Sequence, residues 1–109
     1  MALSRNHRLT KKRDFDFVFK HGTIVRGALL TARFASVVDS LGRFGIMIPA
    51  RLIKTAAKRN QVRRKISETI RLAKIKSFIG FDVIISLIKT PQAPEGVEVD
   101  LNSILLRIK

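Results

Sequence analysis

Residues 58–71 read KRNQVRRKISETIR, and this stretch decides how the rest of the chain is interpreted. Its apolar residues recur at three- and four-residue spacing, which predicts an amphipathic helix from Thr55 or Ala56 to about Ser77. The predicted buried stripe consists of Val62, Ile66, Ile70 and Ala73. At about 100° per residue, another side of the helix carries Asn60, Arg63, Arg64, Ser67, Arg71 and Lys74. The sequence therefore predicts a rod of cations backed by a packed core.

The charge of the whole chain suits a polyanionic partner. Its 109 residues include 22 Lys and Arg against 8 Asp and Glu, a formal net charge of +14. So large a surplus opposes compaction through self-repulsion, and nucleic acid is the commonest partner of such chains. A membrane surface is the second partner that this charge would suit. The hydrophobic share of 46% indicates a globular protein and not a disordered basic tail.

The absence of cysteine excludes a disulfide framework and is compatible with a reducing cytosol. No apolar run approaches the roughly 18 residues that a membrane-spanning helix needs. The first residues lack the apolar segment of a secretory signal. Residues 1–13 are basic and free of acids, as in a transit peptide, but they run straight into a predicted helix. We therefore expect a cytoplasmic protein that does not use a membrane as its partner.

Residues 10–21 are predicted to form a short helix, with Thr10 as its N-cap and Gly22 as its C-terminal stop. Phe15, Val18 and Phe19 share one face of this helix by their spacing. Phe17 points away from that face.

Three strands and a final helix complete the pattern. In residues 28–38 apolar and polar side chains alternate, which predicts a half-buried strand. Residues 44–48 are predicted to form a second strand, most simply antiparallel to the first. Residues 81–88 are almost continuously apolar, which is typical of a central strand buried on both faces. A last helix is expected over 98–108, and its apolar residues are Leu101, Ile104, Leu105 and Ile108. This order predicts an α+β sandwich forming one domain over residues 1–109, with a flexible start over 1–8.

Three ordered segments carry a family resemblance. They are Arg8-Leu9 followed by Phe15, Val18, Phe19 and Gly22; the strand Arg43-Phe44-Gly45-Ile46-Met47-Ile48; and the helix start Arg59-Asn60-Gln61-Val62-Arg63-Arg64 with Glu68. In this order and at these intervals they resemble the protein component of bacterial ribonuclease P. The sequence departs from that family at Gln61, where a second Arg is usual, and at Pro49 and Ala50, which replace residues of a basic segment. The predicted C-terminal helix is also short for the family.

The resemblance implies a mostly antiparallel four-stranded sheet with three helices. It also implies a left-handed β-α-β crossover around the basic helix. Because the residue pattern gives only three strands, we expect the fourth as a short strand around residues 51–55.

The residues do not suggest a catalytic or metal-binding site in this chain. His7 and His21 lie beside basic residues and are expected at the surface. Asp14 and Asp16 point in different directions from their helix, and Asp82 begins its strand without a second acidic residue beside it, so no group of carboxylates is expected to hold a metal. The resemblance implies that the RNA subunit cleaves phosphodiester bonds with Mg²⁺ that is bound by this RNA and the substrate. The chain would then be the accessory protein subunit of an endoribonuclease, with no small-molecule substrate.

Two RNA-binding surfaces are expected on this basis. Guanidinium groups suit phosphate because their planar fork donates two hydrogen bonds. The residues expected to bind the RNA subunit are Lys54, Lys58, Arg59, Asn60, Arg63, Arg64 and Arg71. The alternative interpretation is that these residues form only a solvated helix face. Lys65 is expected to lay its aliphatic stem over the core.

The second surface would hold the single-stranded 5′ leader of precursor tRNA, which aromatic rings and nearby cations bind by stacking and charge. The resemblance points to Phe15 and Phe19. Phe17, off the apolar face, is a third candidate, and Arg33, on the polar side of its strand, could contact the leader backbone. For Phe15 and Phe19 the alternative role is core packing.

The expected function is removal of the tRNA leader in partnership with ribonuclease P RNA. A ribosomal or other structural RNA-binding protein is the main alternative, and a DNA-binding domain that uses the basic helix is another. Leader dependence separates the first two, because only a ribonuclease P subunit should favour substrate that carries a leader.

Overall fold

The centre of the fold is the strand β4 (Phe81–Leu87), whose side chains are buried on both faces, as its near-continuous apolar sequence predicts. The computed structural model describes residues 3, 5–73 and 75–108. The other strands are β1 (Thr23–Arg26), β2 (Leu30–Ser36) and β3 (Arg43–Met47). The helices are α1 (Lys12–His21), α2 (Ala56–Leu72) and α3 (Pro94–Arg107), with short 3-10 turns at Arg5–His7 and Ile75–Phe78.

The four strands lie in the order β1-β2-β4-β3. β2 pairs antiparallel with β1 and with β4, where Leu30 faces Leu87. β3 pairs parallel with β4, where Arg43 faces Asp82. Because parallel neighbours need a crossover, α2 forms the β3-α2-β4 connection. The predicted α+β class, with three helices and a mostly antiparallel four-stranded sheet, is confirmed, whereas the left hand of the crossover stays a prediction.

Two predictions about the sheet were wrong. The fourth strand is β1 at residues 23–26, whereas residues 49–53 make a turn in which the amide of Leu52 donates to the carbonyl of Pro49 at 3.0 Å. β1 was missed because it is a short edge strand with mostly exposed side chains, so it has no alternating pattern. The strand at 43–47 is not antiparallel to β2, because β4 lies between them and chain order does not reveal this insertion.

The sheet separates a large core from a small one. The large core lies between one face of the sheet and helices α2 and α3, and it contains Phe44, Val62, Ile66, Ile70, Val83, Ile85, Leu101 and Ile104. The small core lies under α1 and contains Leu9, Val18, Ala35 and Ile84, with Phe15 packed against it. α1 therefore rests on far fewer buried residues than the two other helices.

α2 begins where its sequence predicts. Thr55 is its N-cap, and the hydroxyl of Thr55 accepts from the amide of Lys58 at 3.3 Å. The helix ends at Leu72, before the predicted Ser77, and the following turn brings Phe78 onto Phe44 with ring centroids 5.4 Å apart. The predicted stripe of Val62, Ile66 and Ile70 is buried and Ala73 is half-buried. Ser67, which was expected on the cationic side, is also buried, and the prediction for Lys74 lies outside the described residues.

α1 begins at Lys12 with Lys11 as its N-cap, so the expected cap at Thr10 is wrong. Its predicted end is confirmed, because the amide of Gly22 donates to the carbonyl of Val18 at 2.7 Å. α3 begins at Pro94, four residues before the expected 98, and this proline occupies the first turn, where its missing N–H is not needed. The four apolar residues predicted for α3 are buried, with Ile108 directly after the helix.

The N-terminal segment covers the free edge of β3. Leu3 is buried, Arg8 pairs with Phe44 in a parallel bridge, and the amide of Leu9 donates to the carbonyl of Phe44 at 2.9 Å. His7 is half-buried, and its Nδ1 donates to the carbonyl of Gly42 at 2.9 Å, which adds a contact between this segment and the residue before β3. The described residues of this segment are therefore attached to the sheet.

Candidate nucleic-acid interface

α2 presents most of its cations to solvent. The side chains of Arg63, Arg64 and Arg71 are exposed, and so are those of Lys54 and Lys58 around the helix start. No other described residue forms a hydrogen bond or ion pair with the side chains of Lys54, Lys58, Asn60, Arg64 or Arg71. These five side chains can therefore bind an external phosphate or hydroxyl without breaking an internal contact.

Two arginines of the predicted set are held by the protein itself. Nη1 of Arg59 donates to the carbonyls of Ile53 and Lys54 at 2.9 and 3.0 Å. Nη1 of Arg63 donates to the carbonyl of Ile46 in β3 at 3.1 Å. Each guanidinium has five N–H donors, so both keep donors for a ligand while their planes are fixed. Arg59 and Arg63 are thus pre-oriented, whereas Arg64 and Arg71 can adapt.

The cationic surplus is not neutralised within the fold. Among the described residues, only Lys12, Arg43 and Lys65 form ion pairs with acidic side chains. Nζ of Lys65 lies 3.7 Å from Oε1 of Glu98 in α3, so this lysine belongs to the helix–helix contact and not to the exposed cationic face. The remaining cations keep a field that attracts a polyanion and that salt would screen.

The predicted leader surface is partly assembled. The guanidinium carbon of Arg33 lies 5.3 Å from the ring centroid of Phe19, within the range of a cation–π contact. Phe19 is 39% exposed, and Phe15 is half-buried against the small core. Phe15 therefore combines the packing role with a partly accessible ring, and Phe19 and Arg33 offer a stacking face with a cation beside it.

Phe17 lies apart from this group. Its ring is 43% exposed and packs on His21 with ring centroids 4.7 Å apart. The two rings line a different cavity, together with Thr23 and Ser36 at one end of the sheet. The exposed position of His21 agrees with its expected surface location. The structure thus places Phe17 away from Phe19 and Arg33.

One cavity of about 220 Å³ joins the two predicted surfaces. It lies between the N-terminal segment, β3 and α2, and its walls include Arg8, Phe15 and Arg63. An aromatic ring from the leader group and an arginine from the cationic group therefore border the same space. A single strand of RNA lying over this cavity would reach both.

The first turn of α1 is tied to the sheet by charge. Arg43 donates to Asp82 from Nε at 3.0 Å and from Nη2 at 2.6 Å, and its Nη1 lies 3.3 Å from Oδ2 of Asp14. Ser40 donates to Oδ1 of Asp82 at 2.7 Å. The hydrogen bond with Asp82 raises the pKa of Arg43, so this guanidinium stays charged across the working pH range. The buried carboxylate of Asp82 thus has partners in β3 and in the turn before it, contacts that the sequence pattern did not reveal.

Arg43 and Gly45 were part of the family pattern but had no assigned role. A methyl group on Gly45 would lie 2.5 Å from Cζ of Phe15, so the ring occupies the space that any larger residue would need. The signal in the sequence was the pair of short motifs Asp14-Phe15 and Arg43-Phe44-Gly45, whose contact only the sheet topology reveals. Asp14 and Asp16 do diverge as predicted, because Asp16 pairs with Lys12 at 3.1 Å.

The described residues contain neither a cluster of metal ligands nor a helix that could span a membrane. Within residues 3, 5–73 and 75–108, no three His, Asp or Glu side chains converge as metal ligands would. None of the helices in this part of the chain combines the length and the apolar character that crossing a bilayer requires. The arrangement supports binding to a polyanion, and the acidic side chains of α1 and β4 pair with Lys12 and Arg43.

Comparison with known proteins agrees with this geometry. The family model for ribonuclease P matches residues 3–109. The ribonuclease P protein component of Baumannia cicadellinicola subsp. Homalodisca coagulata is 36% identical over 88 residues, which cover 79% of this chain and 75% of that protein. The component of Synechococcus sp. (strain RCC307) is 32% identical over 79 residues, which cover 62% of each protein. With two further curated relatives the chain likewise spans only 61% and 60% of the relative's length.

Two solved structures share the fold. The RNase P protein from Thermotoga maritima superposes with a TM-score of 0.80 at 26% identity, over 94% of this chain and 97% of that one. The RNase P protein from Staphylococcus aureus superposes with a TM-score of 0.82 at 22% identity, over 92% and 93% of the two chains, a likeness of fold alone.

Proposed function

The chain belongs to the ribonuclease P family, as the resemblance in its sequence predicted, and we propose that it is the protein component of ribonuclease P. In this role it binds a catalytic RNA subunit and helps that RNA to remove the 5′ leader from precursor tRNA. The observation that carries the proposal is the shared cavity that Phe15 and Arg63 both line, because one strand of RNA can use both surfaces there.

The cationic face of α2 would bind the RNA subunit. Arg59 and Arg63, whose planes are already fixed by backbone carbonyls, would form the oriented phosphate contacts. Arg64 and Arg71, with Lys54 and Lys58, would supply adaptable charge. Asn60 can donate and accept, which suits a 2′-hydroxyl or a base edge. Gln61 can hydrogen-bond RNA but supplies no charge where the family usually has arginine.

The leader would lie against α1 and the open part of the sheet. A base can stack on the exposed part of Phe19 while Arg33 attracts its phosphate. Phe15 would form the inner wall of this site, next to the cavity that leads to Arg63. Phe17, on the other side of α1, would contribute least. Because mature tRNA has no leader, these contacts would favour the precursor as substrate.

The chemistry would belong to the RNA. Mg²⁺ bound by the RNA subunit and substrate would supply the activation of water and the stabilisation of the leaving oxygen. The protein would lower the repulsion between two polyanions where they meet, and it would order the substrate relative to the RNA. In support of this division, Asp14 and Asp82, the acidic residues beside Phe15 and Gly45, are paired with Arg43.

A structural RNA-binding protein without a catalytic partner is the second candidate, because unpaired cations alone would suit ribosomal RNA equally well. The partly assembled leader site favours the first candidate. A ribosomal protein would not need an exposed ring with a guanidinium over it on the face of the sheet opposite to the main core.

Reconstitution tests the proposal. The chain is mixed with a bacterial ribonuclease P RNA at low Mg²⁺, and release of the 5′ leader from precursor tRNA is measured. We expect faster cleavage than with RNA alone, tighter binding of precursor than of mature tRNA, and no cleavage by the protein alone. Lack of stimulation, or binding that is equal for the two tRNAs, would contradict the proposal.

A further inference from the structure

We propose that Arg43 and Gly45 are positioning residues for the leader site, acting through α1. They hold the helix on the sheet at two adjacent points and thereby set where the rings of Phe15 and Phe19 stand. This inference rests on the proposed function, since it concerns how the leader is recognised. It assigns a task to two residues that touch neither the leader nor the RNA subunit in the proposed function.

The first point of attachment is ionic. Asp14 in the first turn of α1 approaches Arg43 at 3.3 Å, and Arg43 is itself fixed by two hydrogen bonds to Asp82. The side chain of Asp82 is 2% exposed and those of Arg43 and Asp14 are 29% and 21% exposed. The guanidinium therefore cannot follow the helix if the helix moves, because the bidentate pair anchors it to β4.

The second point of attachment is steric. Gly45 lies two residues after Arg43 in β3, so the two residues face the same side of the sheet about 7 Å apart. The ring of Phe15 fills the space above Gly45, and a Cβ there would lie 2.5 Å from Cζ and 2.7 Å from Cε1 of the ring. Consecutive residues of α1 thus meet alternate residues of β3, and two such points fix both the position and the rotation of the helix.

Apart from these two points, α1 rests on β2 and β4 through a small core. Val18 is its one buried residue, and in the described part of the chain the core beneath it adds Leu9, Ala35 and Ile84, with Phe15 packed against them. The ring of Phe19 lies outside this core, 39% exposed and in contact with Arg33. A small change at either point of attachment should therefore displace the rings more readily than it unfolds the protein.

Gly45→Ala is the first test. This glycine does not need a positive φ, so alanine is strained there only by the ring of Phe15. Gly96→Ala in α3 is the matched control, because its Cβ would meet Leu29 at an ordinary 3.5 Å. We expect Gly45→Ala to lower the ratio of precursor to mature tRNA affinity in the holoenzyme roughly tenfold, a loss comparable to that of one stacked base. Gly96→Ala should leave the ratio unchanged.

A double-mutant cycle separates positioning from a general structural effect. If Gly45 acts through the ring, Gly45→Ala should cost nothing further in a Phe15→Ala background, where the space is empty. Additive losses in the double variant would overturn the inference. Affinity for the RNA subunit alone should stay within about twofold of the parent throughout, because α2 is not changed.

Asp14→Asn tests the ionic point and covers the case in which Gly45→Ala does not fold. It keeps Arg43 paired with Asp82, so the sheet retains its buried network. The matched control is Asp16→Asn, which removes the exposed pair with Lys12 on the same helix. We expect a three- to tenfold loss of leader preference for Asp14→Asn and no change for Asp16→Asn.

The outcomes are distinct from a failure of the proposed function. If the parent protein shows no leader preference, the proposed function fails. If the parent shows it and both Gly45→Ala and Asp14→Asn retain it in full, the inference about positioning fails while the proposed function stands. Equal losses with Asp14→Asn and Asp16→Asn would also contradict the positioning role.

Discussion

The two faces expected to bind RNA, that of α2 and that of α1, are supported by different kinds of packing. On α2 the side chains expected to bind RNA project from a long helix with a buried stripe of Val62, Ile66 and Ile70 beneath it. On α1 the rings stand on a short helix over a small core and depend on contacts with β3. The first face tolerates movement because charge acts over a distance, whereas the second needs its rings in place. The difference implies that affinity and substrate preference can be changed separately.

The largest expected effect is a loss of stability when the ion pair of Arg43 with Asp82, which lies beneath α1, is removed. Arg43→Ala leaves the buried carboxylate of Asp82 with Ser40 as its one side-chain partner among the described residues. Removing one member of a buried pair costs about 3–5 kcal/mol, so the free energy of unfolding should fall by this order. Chemical denaturation measures it. A loss below about 1 kcal/mol would show that the network does not support the sheet.

The next effect concerns the α2 face. Arg59→Ala combined with Arg63→Ala removes two oriented phosphate contacts, so affinity for ribonuclease P RNA should fall and the slope of log affinity against log salt should decrease by about two. Filter binding or fluorescence anisotropy at several salt concentrations measures both quantities. Lys12→Ala, which removes an exposed cation already paired with Asp16, is the control. Unchanged affinity and slope would refute the assignment of this face.

A smaller effect distinguishes the two exposed aromatic side chains of α1, Phe17 and Phe19. Phe19→Ala should weaken binding of precursor tRNA by about 1–3 kcal/mol, the usual contribution of a base stacked on an aromatic ring. Phe17→Ala should have little effect, because that ring packs on His21 away from Arg33. Affinity of the holoenzyme for precursor and mature tRNA measures both variants. A larger loss with Phe17→Ala than with Phe19→Ala would place the leader on the other side of α1.

The smallest effect is expected where charge is exposed and paired. Asp16→Asn removes an ion pair whose side chains are 91% and 62% exposed, and such pairs contribute little to stability. Thermal unfolding should therefore shift by a few degrees at most. A large shift would show that the first turns of α1 are held more by their own charges than by β3.

The elements that the sequence predicts correctly are those with a clear periodic pattern in their own residues. α2 and β4 follow from their periodicity, because their burial is reflected in consecutive residues. β1 has no such pattern, being short and exposed, and the parallel pairing of β3 depends on a neighbour that comes after α2 in the chain. The family resemblance supplied the number of strands but not the location of the fourth.

In the candidate site, too, some features could be predicted from the sequence and others could not. The cations of α2 could be named from composition and helical spacing, because their exposure follows from the buried stripe. The anchoring of Arg59 and Arg63 could not, since their acceptors are carbonyls of a turn and of another strand. Nor could the contact of Phe15 with Gly45, which joins residues 30 positions apart. Contacts between elements need the topology, and sequence spacing does not contain it.

The most direct measurement compares Arg64→Ala with Phe19→Ala in the reconstituted holoenzyme. For each variant, the salt dependence of affinity for ribonuclease P RNA and the ratio of precursor to mature tRNA affinity are determined. We expect Arg64→Ala to lower the salt slope by about one while leaving the ratio unchanged, and Phe19→Ala to lower the ratio while leaving the slope unchanged. If each variant shifts both quantities to the same extent, the two faces are not separate and the account is contradicted.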